Sequence, residues 1–256
     1  MCCIPDDIRI DFSSLDDHAC TVSLFDLPDD TGLIAWPQAT INGETIFSAR
    51  IGPTGGKRGY TPITGLPSWG IAWYINDKLI PEIYVERGQT YTFVVEGGND
   101  RTNPARYHPF YITDSKEGGF GQKSEAEQKK QRVFAGVSYD SDGYPYPTAA
   151  GRYCEWTHKT IDKSPEIETF EAYLETLRLV CDDGEPAYLN WTVAPETPDL
   201  LYYQCYTHNN LGWKIHVVDA GYRSPRDGNG SSSLASSTVV VILAVMFTFT
   251  TRIFAS

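Results

Sequence analysis

Apolar and polar positions alternate along several short stretches of the chain, with the two-residue period of a strand. Thr90–Glu96 is the clearest case. Tyr91, Phe93 and Val95 fall on one side, and Thr90, Thr92 and Val94 on the other. The apolar run Ala72-Trp73-Tyr74-Ile75 ends in an Asn76-Asp77 turn, and Ile83-Tyr84-Val85 ends in an Arg87-Gly88 turn. Tyr107–Thr113, Tyr188–Val193, Leu200–Cys205 and Lys214–Val218 read as further strands. Thr21–Phe25 and Glu44–Ile51 read as shorter ones, set between breaks rich in Asp, Gly and Pro.

Residues 114–186 interrupt this rhythm and read as a long insertion. Ser124–Arg132 is charged, so an exposed helical stretch is expected there. Ser164-Pro165 predicts a better helix near 165–178, with Ser as cap and Pro in the first turn. Phe170, Tyr173, Leu174 and Leu177 would then share one face, and that stripe is expected to pack on the core. Cys154 and Cys181 flank this helix. A secreted insertion without a core of its own is expected to join them as a disulfide.

The two ends differ from the middle. From Asp227 the chain has small residues, then a Ser-rich spacer, then an apolar run from Val239 to Phe249. That run is short for a bilayer span, which needs about 20 residues. Small residues, a spacer and a terminal hydrophobic tail make up a GPI-anchor signal, and a single tilted span is the alternative. Either places the protein on the extracellular face of the plasma membrane, with the C-terminal tail as its membrane contact. The first twenty residues carry Asp6, Asp7, Asp11, Asp16 and Asp17 and lack the apolar stretch of a signal peptide. The natural start is therefore expected to lie elsewhere. The triplets at Asn190 and Asn229 are candidate glycosylation sites of a secreted protein.

The chain has 256 residues, and its 21 basic and 33 acidic side chains give 21 − 33 = −12. So acidic a chain argues against nucleic acid as a partner, which requires a basic surface. Sixteen tyrosines with only two methionines, and 22 glycines with 16 prolines, suit a β-rich, loop-rich domain.

Candidate chemistry centres on Cys205-Tyr-Thr-His208, on the loop between the last two strands. That spacing brings a thiolate and an imidazole within reach of one metal ion. His108, at the start of the Tyr107–Thr113 strand, is the candidate third ligand. One thiolate and two imidazoles form the ligand set of a type-1 copper centre. His18, His158 and His216 stand alone.

Pro81–Phe93 resembles the opening of cupredoxins, and His108 with Phe110-Tyr-Ile112 resembles their first-ligand strand. Three segments are more closely similar to the C-terminal cupredoxin-like module of Skeletor- and Knickkopf-type extracellular proteins. They are Leu79-Ile-Pro-Glu-Ile-Tyr-Val-Glu-Arg-Gly88, Tyr107-His-Pro-Phe-Tyr-Ile-Thr-Asp114 and Tyr202-Tyr-Gln-Cys-Tyr-Thr-His-Asn-Asn-Leu-Gly-Trp-Lys-Ile215. The resemblance, with the strand pattern, implies an all-β, Greek-key sandwich with an inserted helix-containing segment, over residues 61–222. It implies that 1–60 is the end of a DOMON-like domain, with 223–238 a spacer and 239–256 the tail. Plastocyanin-like loops place a weak axial ligand five residues after the second His. Here that residue is Trp213, whose indole offers only an N–H and cannot ligate. Trp213 is expected to cap the site without coordinating, and a three-coordinate copper would have a high potential.

Two functions follow. One is a cell-surface protein that binds one copper ion at His108, Cys205 and His208 and exchanges one electron with a redox partner. The other is a non-enzymatic module that binds an extracellular matrix component, its metal site structural, lost or given to zinc. No His-x-His pairs occur, so a multicopper oxidase is not expected, and no catalytic residues are assigned.

Overall fold

The computed structural model describes residues 33–222. The Thr21–Phe25 strand, Cys2, Cys3, Cys20, His18, Asn229, the spacer and the hydrophobic tail all lie outside the described residues. The described residues form fifteen strands. The first six are β1 (Thr40–Ile41), β2 (Ile46–Pro53), β3 (Ile71–Ile75), β4 (Lys78–Leu79), β5 (Glu82–Glu86) and β6 (Thr90–Glu96). Then come β7 (Phe110–Thr113), β8 (Val133–Ala135), β9 (Val137–Tyr139), β10 (Pro145–Pro147) and β11 (Cys154–His158). The last are β12 (Leu177–Cys181), β13 (Ala187–Thr192), β14 (Leu200–Cys205) and β15 (Lys214–Val218).

These strands build an all-β sandwich. One sheet has six strands in the order β1-β5-β15-β14-β7-β8. The other has seven and is centred on β2, which pairs with β3 on one side and with β6 and then β11 on the other. The alternation read from the sequence explains the layering. Tyr91, Phe93 and Val95 of β6 are buried, as are Ile83 and Val85 of β5 and Ile215 and Val217 of β15. The inner faces of both sheets share one hydrophobic core. Phe110 joins them, its ring 5.2 Å from Trp73 and 4.9 Å from Phe93.

Three details differ from the sequence expectations. First, the sandwich includes residues placed in the 1–60 segment: β2 is a central strand, and Trp36, Ile41, Phe47, Ala49 and Ile51 are core residues. The compact unit begins at Ala35. Second, the helix expected over 165–178 is a single turn at Phe170–Leu174, whose N-cap Thr169 accepts a hydrogen bond from the Ala172 amide at 3.3 Å. Leu177 instead opens β12, which pairs with β11 along five residues; ladder and disulfide together override helical periodicity. Phe170 and Tyr173 still reach the core through Trp36, at 5.7 and 4.7 Å between ring centres. Third, the Ser124–Arg132 stretch holds only one turn, Glu125–Gln128, closed by a Ser124–Glu127 capping box.

Cys154 and Cys181 are register partners on β11 and β12 and form the expected disulfide. Asn190 is exposed on β13, its carbonyl oxygen accepting from the Thr92 hydroxyl at 2.8 Å. Among the described residues no helix is long and apolar enough to cross a membrane.

Candidate metal centre

Cys205 ends β14 directly opposite Phe110, the first residue of β7. His108 lies two residues before that strand. The pairing of two neighbouring strands therefore carries the thiol and the first imidazole to the same rim of the sandwich. The His108 amide donates to the Gly97 carbonyl at 3.0 Å, which anchors it to the end of β6. His208 arrives on the loop that follows Cys205.

Ligand atoms of the three residues all lie within 4.8 Å of one another. The Cys205 sulfur is 3.9 Å from His108 Nδ1 and 3.7 Å from His208 Nδ1, and the imidazole centres are 4.7 Å apart. His108 Nε2 faces the Ala105 carbonyl at 3.2 Å. A carbonyl can only accept, so Nε2 carries the proton and the Nδ1 lone pair faces the sulfur. This is the tautomer a metal ligand needs.

The surroundings disfavour charge on all three side chains. Burial pushes the Cys205 thiol up to about 11. Burial, reinforced by His208, lowers His108 to about 4, and burial also lowers His208. The trio thus sits as a neutral thiol and two neutral imidazoles. A soft sulfur and two neutral imidazoles suit a soft or borderline metal ion.

Two residues not singled out in the sequence hold the ligand loop. Gln204, fully buried on β14, donates from its amide to the Lys116 carbonyl at 2.7 Å. Its side-chain oxygen accepts from the amides of Leu211 and Gly212 at 3.3 and 3.1 Å. Thr207 donates to the Tyr107 carbonyl at 2.7 Å, tying the loop to the segment that carries His108. The sequence signals are a lone amide side chain among apolar strand neighbours and a hydroxyl between two ligand candidates.

Trp213 is buried, but its ring partners are the Lys214 and Lys116 ammonium groups, at 4.7 and 5.7 Å, and Tyr202 at 6.5 Å. The oxygen that does meet the sulfur is that of Thr207. His158 bonds the Tyr173 hydroxyl at 3.0 Å, and His216 bonds Glu82 at 2.7 Å; both serve the fold away from the trio. One side of the centre reaches solvent, at a shallow pocket lined by Trp69, Gln122, Thr207, His208 and Asn209.

Residues 179–219 match the At5g54830-like domain. Skeletor isoforms B/C and D/E of Drosophila melanogaster are each 53% identical to the chain over 177 residues, 68% of its length. The chain spans only 22% and 12% of those two proteins. The Arabidopsis thaliana cytochrome b561, DM13 and DOMON domain-containing protein At5g54830 is 26% identical over 148 residues, 58% of this chain and 11% of that one. A laccase from Pediococcus acidilactici overlays 72% of this chain and 29% of its own, at 10% identity and a TM-score of 0.26. Over part of its length, then, the chain is similar to Skeletor and to At5g54830.

Proposed function

We propose that this domain is an extracellular copper-binding module that takes up and releases one electron. The convergence of the Cys205 sulfur and the two Nδ1 atoms on one buried point supports this reading most directly. The disulfide between Cys154 and Cys181 fits an oxidising compartment.

Copper held by a thiolate and two imidazoles supplies reversible one-electron exchange. The protein's own residues do the rest. Ala105 keeps the His108 proton on Nε2, so Nδ1 is free to bind. Cys205 gives up its thiol proton on loading, since the ligand is the thiolate. The backbone ladder between β7 and β14 holds Cys205 beside the His108 segment, which limits rearrangement between oxidation states. Partly buried His208, beside exposed Trp69, offers the edge through which a redox partner would exchange its electron.

The test is stoichiometry. Native mass spectrometry after anaerobic loading with Cu(I) should show one ion per chain. His108→Ala and His208→Ala should each lose it while keeping the wild-type circular dichroism. A wild-type chain that retains no copper contradicts the reading and leaves the matrix-binding module in its place.

A further inference from the structure

We infer that Thr207 Oγ1 is a fourth donor of this centre, approaching the ion from outside the Cys–His–His plane; the inference rests on the copper reading above. Thr207 lies between Cys205 and His208 in the chain, so the same loop places all three. Its oxygen has three polar neighbours: the Tyr107 carbonyl at 2.7 Å, the Cys205 sulfur at 3.3 Å and His208 Nδ1 at 2.9 Å. The carbonyl can only accept, so the hydroxyl proton points to Tyr107. The oxygen lone pairs are left to accept from the Cys205 S–H and the His208 Nδ1–H, the two protons an ion would displace.

The spacing fits a fourth donor beside the sulfur and the His208 nitrogen. Metal bonds of about 2.0 Å to nitrogen and 2.3 Å to sulfur, with an oxygen at a similar distance, put that oxygen about 3 Å from the nitrogen and slightly more from the sulfur. The observed 2.9 and 3.3 Å follow this order. A neutral alcohol oxygen is a weak donor, as the axial position of such centres requires. It occupies the role that Trp213 cannot fill.

The consequence has a direction. An oxygen donor favours Cu(II) over Cu(I), because the higher charge gains more from a hard ligand. The centre therefore has a lower potential than a three-coordinate one. Thr207→Val keeps the side chain's shape and removes the oxygen; Thr207→Ser keeps the oxygen.

The experiment compares the copper-loaded full chain in three forms: wild type, Thr207→Val and Thr207→Ser. The readouts are reduction potential, Cu(II) electron paramagnetic resonance and the affinity ratio of Cu(II) to Cu(I). Thr207→Val should raise the potential, change the resonance spectrum and cut the ratio by about ten- to a hundredfold. Thr207→Ser should match wild type in all three. Thr207→Ala stands in should the valine form fail to fold. If wild type binds copper and the oxygen-free variant has the same potential, spectrum and ratio, Thr207 is no donor and the copper reading stands. If wild type binds no copper, both fall together.

Discussion

His108 Nε2 lies 3.2 Å from the carbonyl oxygen of Ala105, three residues earlier in the chain. This short contact decides which imidazole nitrogen is free. In the metal-free protein at neutral pH, nitrogen–proton correlation spectra should show His108 as the Nε2–H tautomer. Observation of the Nδ1–H form would remove the argument that the centre is preorganised.

Glu96 is 3% exposed and accepts from Arg50 at 2.7 Å and from Arg152 at 2.8 Å. Burial alone would raise its pKa, but the hydrogen bonds from the two guanidinium groups outweigh it and hold the carboxyl below its ordinary value. A lowered folded-state pKa gives stability that is complete above the ordinary value of 4.5 and is lost as pH falls below it. Glu96→Gln should therefore cost about 1.5–3 kcal/mol at neutral pH. It should also flatten the acid limb of the wild-type stability curve. Urea denaturation at neutral and acid pH measures both, and equal acid sensitivity in the two proteins would contradict the assignment.

The disulfide closes a sequence separation of 27 residues between register partners. Loop-closure entropy gives it about 3.5 kcal/mol. The double variant Cys154→Ala/Cys181→Ala should lose stability of that order in denaturant titration. The β11–β12 pair should also exchange its amide protons faster. An unchanged midpoint would mean that the ladder holds this edge unaided.

Gly97 meets the His108 segment closely. A Cβ there would lie 2.2 Å from the His108 carbonyl oxygen and 2.7 Å from the Trp73 ring. Gly97→Ala should shift the His108 backbone and destabilise the domain by about 1–3 kcal/mol. Thermal denaturation with copper titration should show both a lower midpoint and weaker binding. Wild-type affinity in this variant would argue that His108 is not a ligand.

Much of the sandwich was legible in the sequence because its strands are short and one-sided. Thr90–Glu96, Leu200–Cys205 and Lys214–Val218 carry their alternation openly, and the structure gives them those bounds. Phe170–Leu177 was not legible, since the spacing that suggests a helix also suits one turn followed by a strand. The pairing of Leu177–Cys181 with β11, a long-range term, decided the matter. The placement of β2 inside the domain was hidden by the breaks around it. His108, Cys205 and His208 were legible because few other side chains could form such a set. Thr207 stood between two ligand candidates, but the direction of its hydroxyl was not legible, because it is set by a hydrogen bond to Tyr107, 100 residues away.

The most direct measurement is a Cu(II) titration of the refolded wild type and of Cys205→Ser, followed by visible absorption. A thiolate bound to Cu(II) gives an intense charge-transfer band. The account predicts that this band grows to saturation at one equivalent in wild type and is absent in Cys205→Ser. A wild-type chain in excess Cu(II) that shows no band and holds no copper by mass would contradict it.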